Sequence, residues 1–173
     1  MKIFLIALFA FIGFFLASGP MNELHAQPKA ETLRVKKLFD AMRDGTYEEK
    51  IEFPRLDPTD VPALLELADS ANILKKFPTN PLSSQLELQC SEGMVALWLI
   101  EGIRQGSKGI KYPSLNALCF KDDVQAKNYT EESEANHKEV AKAYRVWWDK
   151  AKGLSAEKAK ELDPLKGTNL HWR

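Results

Sequence analysis

The chain has 173 residues, 45% of them hydrophobic, which is enough for one domain with a real core and tight for two. Its 24 lysines and arginines balance its 24 aspartates and glutamates, without a long block of like charges. Nucleic-acid-binding proteins normally carry a basic patch or stripe, so this composition argues against that class and we expect no nucleic-acid partner.

The first 26 residues are typical of a secretory signal peptide. Lys2 precedes an apolar run over residues 3–17, and this run is shorter than the roughly 20 apolar residues that a membrane span needs. We expect cleavage after Ala26, which leaves residues 27–173 as a single domain in the periplasm or outside the cell, with no membrane span. The alternative is an uncleaved N-terminal anchor.

Apolar residues at helical spacing predict two helices in the first half of the mature chain. The first covers residues 30–44, and Gly45 follows it as a natural C-cap. The second begins near Asp57 or Asp60, because each aspartate offers a cap residue close to a proline. We expect this second helix to end around Asn72.

Residues 90–105 predict the most apolar helix of the chain. Its hydrophobic side chains cover nearly the whole circumference, which is typical of a helix buried at the centre of a domain. Gly93 and Gly102 lie inside it, where each glycine costs about 1 kcal/mol relative to alanine. We expect that Gly93 and Gly102 allow neighbouring helices to pack closely against this one. A short helix is expected after it, ending at Leu118.

The last part of the chain predicts one long and one short helix. The long helix covers about residues 131–152 and carries a clean apolar stripe. A short helix begins near Ser155, and an extended tail closes the chain at residues 170–173. No alternation of apolar and polar residues is long enough to predict a sheet.

Several phrases follow one another along the mature chain in a specific order. They are Phe53-Pro54-x-Leu56, Asp60-Val61-Pro62-Ala63-Leu64-Leu65, Phe77-Pro78-x-Asn80-Pro81, Leu97-Trp98-x-Ile100-Glu101-x-Ile103-Arg104, Tyr112-Pro113-Ser114-Leu115, Tyr144-x-x-Trp147-Trp148 and Asp163-Pro164-Leu165. This order resembles the DUF4943 family of uncharacterised secreted Bacteroidetes proteins. The resemblance covers most of the mature chain and implies a bacterial envelope or secreted setting. It brings no known function and therefore no functional residue.

The expected fold is an all-α domain of five to six helices, packed as antiparallel hairpins around the helix at 90–105. The consecutive helix pairs look similar to HEAT-like hairpins, although no repeat of fixed period is present. An irregular bundle is the alternative arrangement.

Cys90 and Cys119 are the two cysteines of the chain. In an exported protein they could form a disulfide that closes a loop of about 30 residues and stabilises the fold by roughly 3–4 kcal/mol. Two buried thiols that pack as small hydrophobic side chains are the alternative. Without a C-x-x-C spacing, a redox role is not expected.

Glu101 and Arg104 are the strongest candidates for a binding site. They are three residues apart on an otherwise apolar helix, and this spacing allows an intrahelical ion pair. A structural pair is one interpretation. The other places both side chains in a groove beside Tyr112, where they would bind a ligand or a peptide.

The remaining candidates have a structural and a functional interpretation. Trp147 and Trp148 could stack on a sugar, but their stripe is typical of core packing. Trp172 either folds back onto the domain as a plug or contacts a partner. His137 is interpreted as a packing residue. Because no His-Glu-x-x-His or paired Cys/His spacing occurs, we expect no metal and no cofactor.

The sequence contains no recognisable catalytic motif, and this argues against an enzyme. We therefore expect a non-catalytic envelope domain that binds another protein or a peptide. The alternatives are a periplasmic or secreted hydrolase acting on an envelope polymer or glycan, and a structural subunit of an envelope assembly. Two carboxylates facing each other across a cleft would favour the hydrolase.

Overall fold

A computed structural model describes residues 30–48, 56–78, 90–106, 118–121 and 134–172. Over these ranges the protein is all-α, as predicted, with five α-helices and one small antiparallel ribbon. In chain order the elements are α1 (Ala30–Asp44), a 3-10 turn (Pro58–Asp60), α2 (Val61–Leu67), α3 (Glu92–Gln105), β1 (Leu118–Phe120), α4 (Glu134–Ala151), α5 (Ala156–Glu161) and β2 (Leu170–Trp172). None of the described helices has the length and apolar character needed to cross a membrane.

Helix α1 has the predicted bounds. Its apolar stripe is buried, and Phe39 and Met42 lose all contact with solvent. Gly45 follows the helix with a φ of 78°, a conformation that glycine adopts without steric cost. The backbone N–H groups of Thr46 and Tyr47 then donate to the carbonyl of Ala41, so they close the last turn.

The second helical segment begins as predicted but ends earlier. Asp57 accepts from the backbone N–H of Thr59, and Asp60 accepts from the backbone N–H of Asp57, so the pair forms a capping box. Helix α2 stops at Leu67, whereas the sequence predicted an end around Asn72. The prediction is wrong because this stretch pairs with a distant segment.

That pairing joins the chain after α2 to the start of α3. Ile73 and Ser91 form an antiparallel bridge, the N–H of Leu74 donates to the carbonyl of Cys90, and the N–H of Glu92 donates to the carbonyl of Asn72. Backbone groups used in this way cannot also continue a helix.

Helix α3 lies at the centre of the fold, as predicted, and packs against α2, α4 and α5. Every residue from Glu92 to Gly102 is buried. The helix begins two residues later than predicted, because Ser91 is its N-cap and accepts from the N–H of Met94 at 3.2 Å. Gly106, with a φ of 71°, ends it.

The tail of the chain folds back as strand β2, which pairs with β1. Leu118 lies opposite Trp172, and Phe120 lies opposite Leu170. The prediction that Leu118 ends a helix is therefore wrong, because this residue begins a strand. The rest of that predicted helix falls within residues 107–117, which lie outside the described ranges. Each strand has only three residues, too few for a visible alternation.

The ammonium group of Lys121 holds the segment that leads into β2. It donates to the carbonyls of Leu165 at 2.8 Å and Thr168 at 2.7 Å. The tail is thus fixed by side-chain as well as ladder hydrogen bonds. The HEAT-like arrangement of the hairpins remains a prediction.

Candidate functional site

Glu101 is a carboxylate buried inside the molecule. It lies near the end of α3, and only 4% of the residue is exposed. Arg104 donates to both of its oxygens, from Nη2 at 2.6 Å and from Nε at 2.8 Å. Gln105 donates from Nε2 at 2.8 Å, and the hydroxyl of Tyr144 donates at 2.6 Å. A buried carboxylate is tolerated where it is paired and fully hydrogen-bonded, and Glu101 meets both conditions.

Arg104 connects this carboxylate to the chain that follows α4. Its third nitrogen, Nη1, donates to the carbonyl of Lys160 at 2.7 Å and more weakly to that of Leu162 at 3.4 Å. The guanidinium therefore binds Glu101 on one side and the end of α5 on the other. This planar, forked geometry is specific to arginine.

Tyr144 extends the same network to the C-terminal strand. Its hydroxyl accepts from the indole N–H of Trp172 at 2.7 Å while it donates to Glu101. Tyr144 itself is fully buried on α4. We refer to Glu101, Arg104, Gln105, Tyr144 and Trp172 as the Glu101 network.

The charges of the network follow from these contacts. Burial by itself raises the pKa of Glu101, but the hydrogen bonds from Arg104, Tyr144 and Gln105 bring that pKa below its usual value. Burial and the neighbouring Glu101 charge raise the pKa of Tyr144 well above its ordinary value. At neutral pH the network therefore holds an ionised carboxylate and a neutral phenol.

The structure places the predicted site residues as follows. Glu101 and Arg104 form the predicted ion pair, and their side chains are only 5% and 11% exposed. This burial favours the structural interpretation of the pair over direct contact with a ligand. Tyr112 lies outside the described residues, so the groove beside it remains a prediction.

The disulfide between Cys90 and Cys119 also remains a prediction. Cys90 is buried just before α3, and the backbone of Cys119 lies in β1 opposite His171.

The aromatic candidates belong mainly to the core. Trp98 and Trp147 are buried, and the indole N–H of Trp147 donates to the carbonyl of Ala159 at 3.3 Å. Trp148 is partly buried beside Trp147, with ring centroids 5.9 Å apart. Trp172 folds back onto the domain, which is the plug that the sequence offered as one of two interpretations.

A second buried carboxylate, Glu92, was missed by the sequence analysis. It accepts from Arg43 of α1, from the hydroxyl of Ser70 at 2.7 Å and from the amide of Asn72 at 3.1 Å. Burial raises the pKa of Glu92, but these three partners bring it below its usual value. A glutamate in the first turn of an apolar helix was the available signal, because such a side chain needs partners when it is buried.

A third carboxylate, Asp60, is completely buried and pairs with Arg34 of α1. The Nη2 atom of Arg34 lies 3.1 and 3.0 Å from its two oxygens. Burial raises the pKa of Asp60 despite this partner. Its place in the capping box and its burial indicate a structural role. Across the described ranges, no three side chains of His, Cys, Asp or Glu converge as a metal site would require.

The family model of a domain of unknown function, DUF4943, matches residues 29–173. The chain belongs to this family. Neither the search of curated proteins nor the search of solved structures found a match. The buried Glu101 network is thus a feature of a DUF4943 domain, and it carries no function from a characterised relative.

Within this DUF4943 chain, the arrangement joins several elements of the fold through polar side chains. The Glu101 network connects α3, α4, the end of α5 and β2 through seven hydrogen bonds, each of which joins two groups of the protein. The signal that sequence reasoning overlooked is Tyr144, because a buried tyrosine hydroxyl normally finds a partner.

Proposed function

We propose that this protein is a non-catalytic, exported domain that binds another protein or a peptide in the cell envelope. The observation that supports a non-catalytic role is that the Glu101 carboxylate is fully hydrogen-bonded by other side chains of the protein. Both of its oxygens accept hydrogen bonds from the protein itself, and burial keeps them from solvent. A carboxylate in this state contributes to the stability of the fold, and its oxygens are not accessible to a substrate.

The titration behaviour of the buried carboxylates supports the same proposal over the hydrolase alternative. A general acid in polymer hydrolysis needs a raised pKa and access to the substrate. The pKa values of Glu101 and Glu92 are lowered by their partners. Asp60 has a raised pKa, but it is completely buried under Arg34.

The proposed binding surface is the side of the domain near Glu101, Arg104 and Tyr112. The first two residues would act from inside, because they hold α5 and β2 in position and so shape the surface that a partner meets. Tyr112 would be a direct contact. The binding part of the proposal rests on the helical fold, in which the expected hairpins would offer grooves, and on the expected export.

Export rests on the signal-peptide pattern of residues 1–26, and the family match begins just after it. The test is to fractionate cells that express the full chain and to sequence the N-terminus of the protein recovered. We expect an exported protein that begins at Gln27. A protein that keeps residues 1–26 and stays with the membrane would favour the uncleaved anchor.

Binding is tested by site-specific photo-crosslinking in cells of the source organism. The crosslinking residue replaces Tyr112, the expected direct contact, or one of the described large hydrophobic side chains that are exposed, namely Leu33, Ile73, Val146 and Leu154. Exposed polar positions, Lys37, Glu66, Lys142 and Glu157, are the matched controls. The proposal expects one discrete adduct from Tyr112, adducts from at most some of the exposed hydrophobic positions, and none from the controls.

The same experiment separates the alternatives. If no position gives an adduct while the purified protein cleaves a glycan or a peptide, the hydrolase is the better account. If the adducts show that the protein is a stoichiometric component of a regular assembly, the structural-subunit alternative is favoured.

A further inference from the structure

His137 is a buried titratable side chain outside the Glu101 network. It lies near the start of α4, where only 7% of the residue is exposed. Its Nε2 atom is buried and has no partner with good hydrogen-bond geometry within the part of the chain that the structure describes, although the backbone of Gly93 and Ala68 lies close to the ring. An unsatisfied buried nitrogen costs free energy, and a buried imidazolium costs more.

The imidazole packs against the start of α3 and the end of α2. A Cβ placed on Gly93 would lie 2.5 Å from the Cε1 and Nε2 atoms of His137 and 2.7 Å from the carbonyl oxygen of Ala68. The ring therefore occupies the space that the missing side chain of Gly93 leaves. Solvent has little room to enter this junction and hydrate a charge.

Among the described residues, the two acids near this junction, Asp69 and Glu92, already have partners. Asp69, just after α2, faces His137 and pairs with Arg145 of α4 at 3.0 Å. The acid next to Gly93 on α3 is Glu92, whose carboxylate is bound by Arg43 and by the side chains of the α2–α3 connection. A proton on His137 therefore gains only part of the attraction of Asp69.

We propose that His137 makes the junction of α2, α3 and α4 sensitive to acid, so that protonation of the imidazole loosens the start of α4 from Gly93 and Ala68. This inference is independent of the proposed binding function.

The direction of the effect follows from burial. Burial lowers the pKa of His137, and the backbone of Gly93, the charge of Asp69 and the backbone of Ala68 offset this only in part. Well above pH 6.5, the ordinary pKa of histidine, both the folded and the unfolded chain carry a neutral imidazole. Below it the unfolded chain takes up a proton before the folded chain does, so stability is lost as the pH falls.

The test is the folding equilibrium constant in urea between pH 7.5 and 5.5, for protein purified from cells expressing the full chain. The wild type is compared with His137→Gln. As a check on the other histidine of the described residues, the His171→Gln protein is compared in the same way with the His137→Gln/His171→Gln double variant. Below pH 6.5 the wild type should lose up to about tenfold in the folding constant per pH unit more than His137→Gln does. Equal pH dependence of the two proteins in both backgrounds would overturn the proposal.

A second measurement needs no variant that might fail to fold. The imidazole Cε1 proton of His137 is titrated by NMR in the folded wild type, together with hydrogen exchange of the amides at the start of α4. We expect a midpoint below pH 6.5 and faster exchange in those amides than in the centre of α3 as the pH falls. A midpoint at or above pH 6.5 contradicts the proposal.

Discussion

The indole N–H of Trp172 donates to the hydroxyl of Tyr144, and the two atoms lie 2.7 Å apart. This bond joins the last strand of the chain to the longest described helix. Because the same hydroxyl donates to Glu101, the position of the tail depends on a carboxylate in the central helix. The tail is therefore part of the buried polar structure of the domain.

Replacing Tyr144 by phenylalanine removes the link between the tail and α3. We expect Tyr144→Phe to lower the free energy of unfolding by about 1–3 kcal/mol, because it leaves the Trp172 N–H and one Glu101 oxygen without this partner. Amide exchange in β2 should accelerate. Trp172→Phe is the matched control and should destabilise less, since it removes a single donor and keeps the Tyr144–Glu101 bond. A larger loss for Trp172→Phe in urea unfolding would contradict this order.

Replacing Arg104 by lysine keeps the charge and loses the forked geometry. An ammonium group cannot bind both Glu101 oxygens and the Lys160 carbonyl together, so we expect Arg104→Lys to lower the free energy of unfolding by about 2–3 kcal/mol. The matched control is Arg145→Lys. Arg145 also contacts a carboxylate and a carbonyl, those of Asp69 and Leu65, each at 3.0 Å, but the side chains of Arg145 and Asp69 are 41% and 42% exposed. Exposed pairs contribute below about 1 kcal/mol, so the control should change little. Equal losses in urea unfolding would show that Arg104 acts as a simple charge.

The acid stability of the protein should reflect Glu101. The pKa of this group is lowered in the folded chain, so its contribution is present above its ordinary value of 4.5 and is lost as the pH falls below it. The difference in unfolding free energy between wild type and Glu101→Gln should therefore be largest above pH 4.5 and narrow towards pH 3. Urea unfolding across this range measures it. A constant difference down to pH 3 would mean that the Glu101 charge does not stabilise the fold.

Gly93 should not tolerate a side chain. The added methyl group of Gly93→Ala would meet the ring of His137 and the carbonyl of Ala68, and overpacking of this kind costs about 1–3 kcal/mol. The gain in helix propensity, about 1 kcal/mol, offsets part of it. Gly153→Ala, where nothing lies within 4 Å, is the control and should stay within about 0.5 kcal/mol of wild type. A Gly93→Ala protein as stable as the control would show that the junction can relax.

Apolar periodicity predicted the helices well because it reflects local geometry. The bounds of α1 at residues 30–44 and the central burial of α3 both follow from which faces are hydrophobic. The end of α2 and the start of β1 were predicted wrongly. At Leu74 and at Leu118 the backbone pairs with segments distant in sequence, and no local pattern encodes that proximity.

In the candidate site, too, the local contact was predictable from the sequence and the long-range contacts were not. The ion pair of Glu101 and Arg104 was predictable from a separation of three residues on one helix. The contacts of Tyr144 with Glu101 and with Trp172 span 43 and 28 residues along the chain. A tyrosine on an apolar stripe indicated core packing, and the partner of its hydroxyl became visible only in the folded chain.

The most direct test of the central claim, that the Glu101 network is an internal structural connection, is a double-mutant cycle in urea unfolding. It combines Glu101→Gln with Tyr144→Phe. The account predicts that the two losses are not additive and that they are coupled by about 1 kcal/mol or more, as expected for groups that share one buried hydrogen-bond network. Additivity within about 0.3 kcal/mol would contradict it, because the two side chains would then stabilise the fold independently.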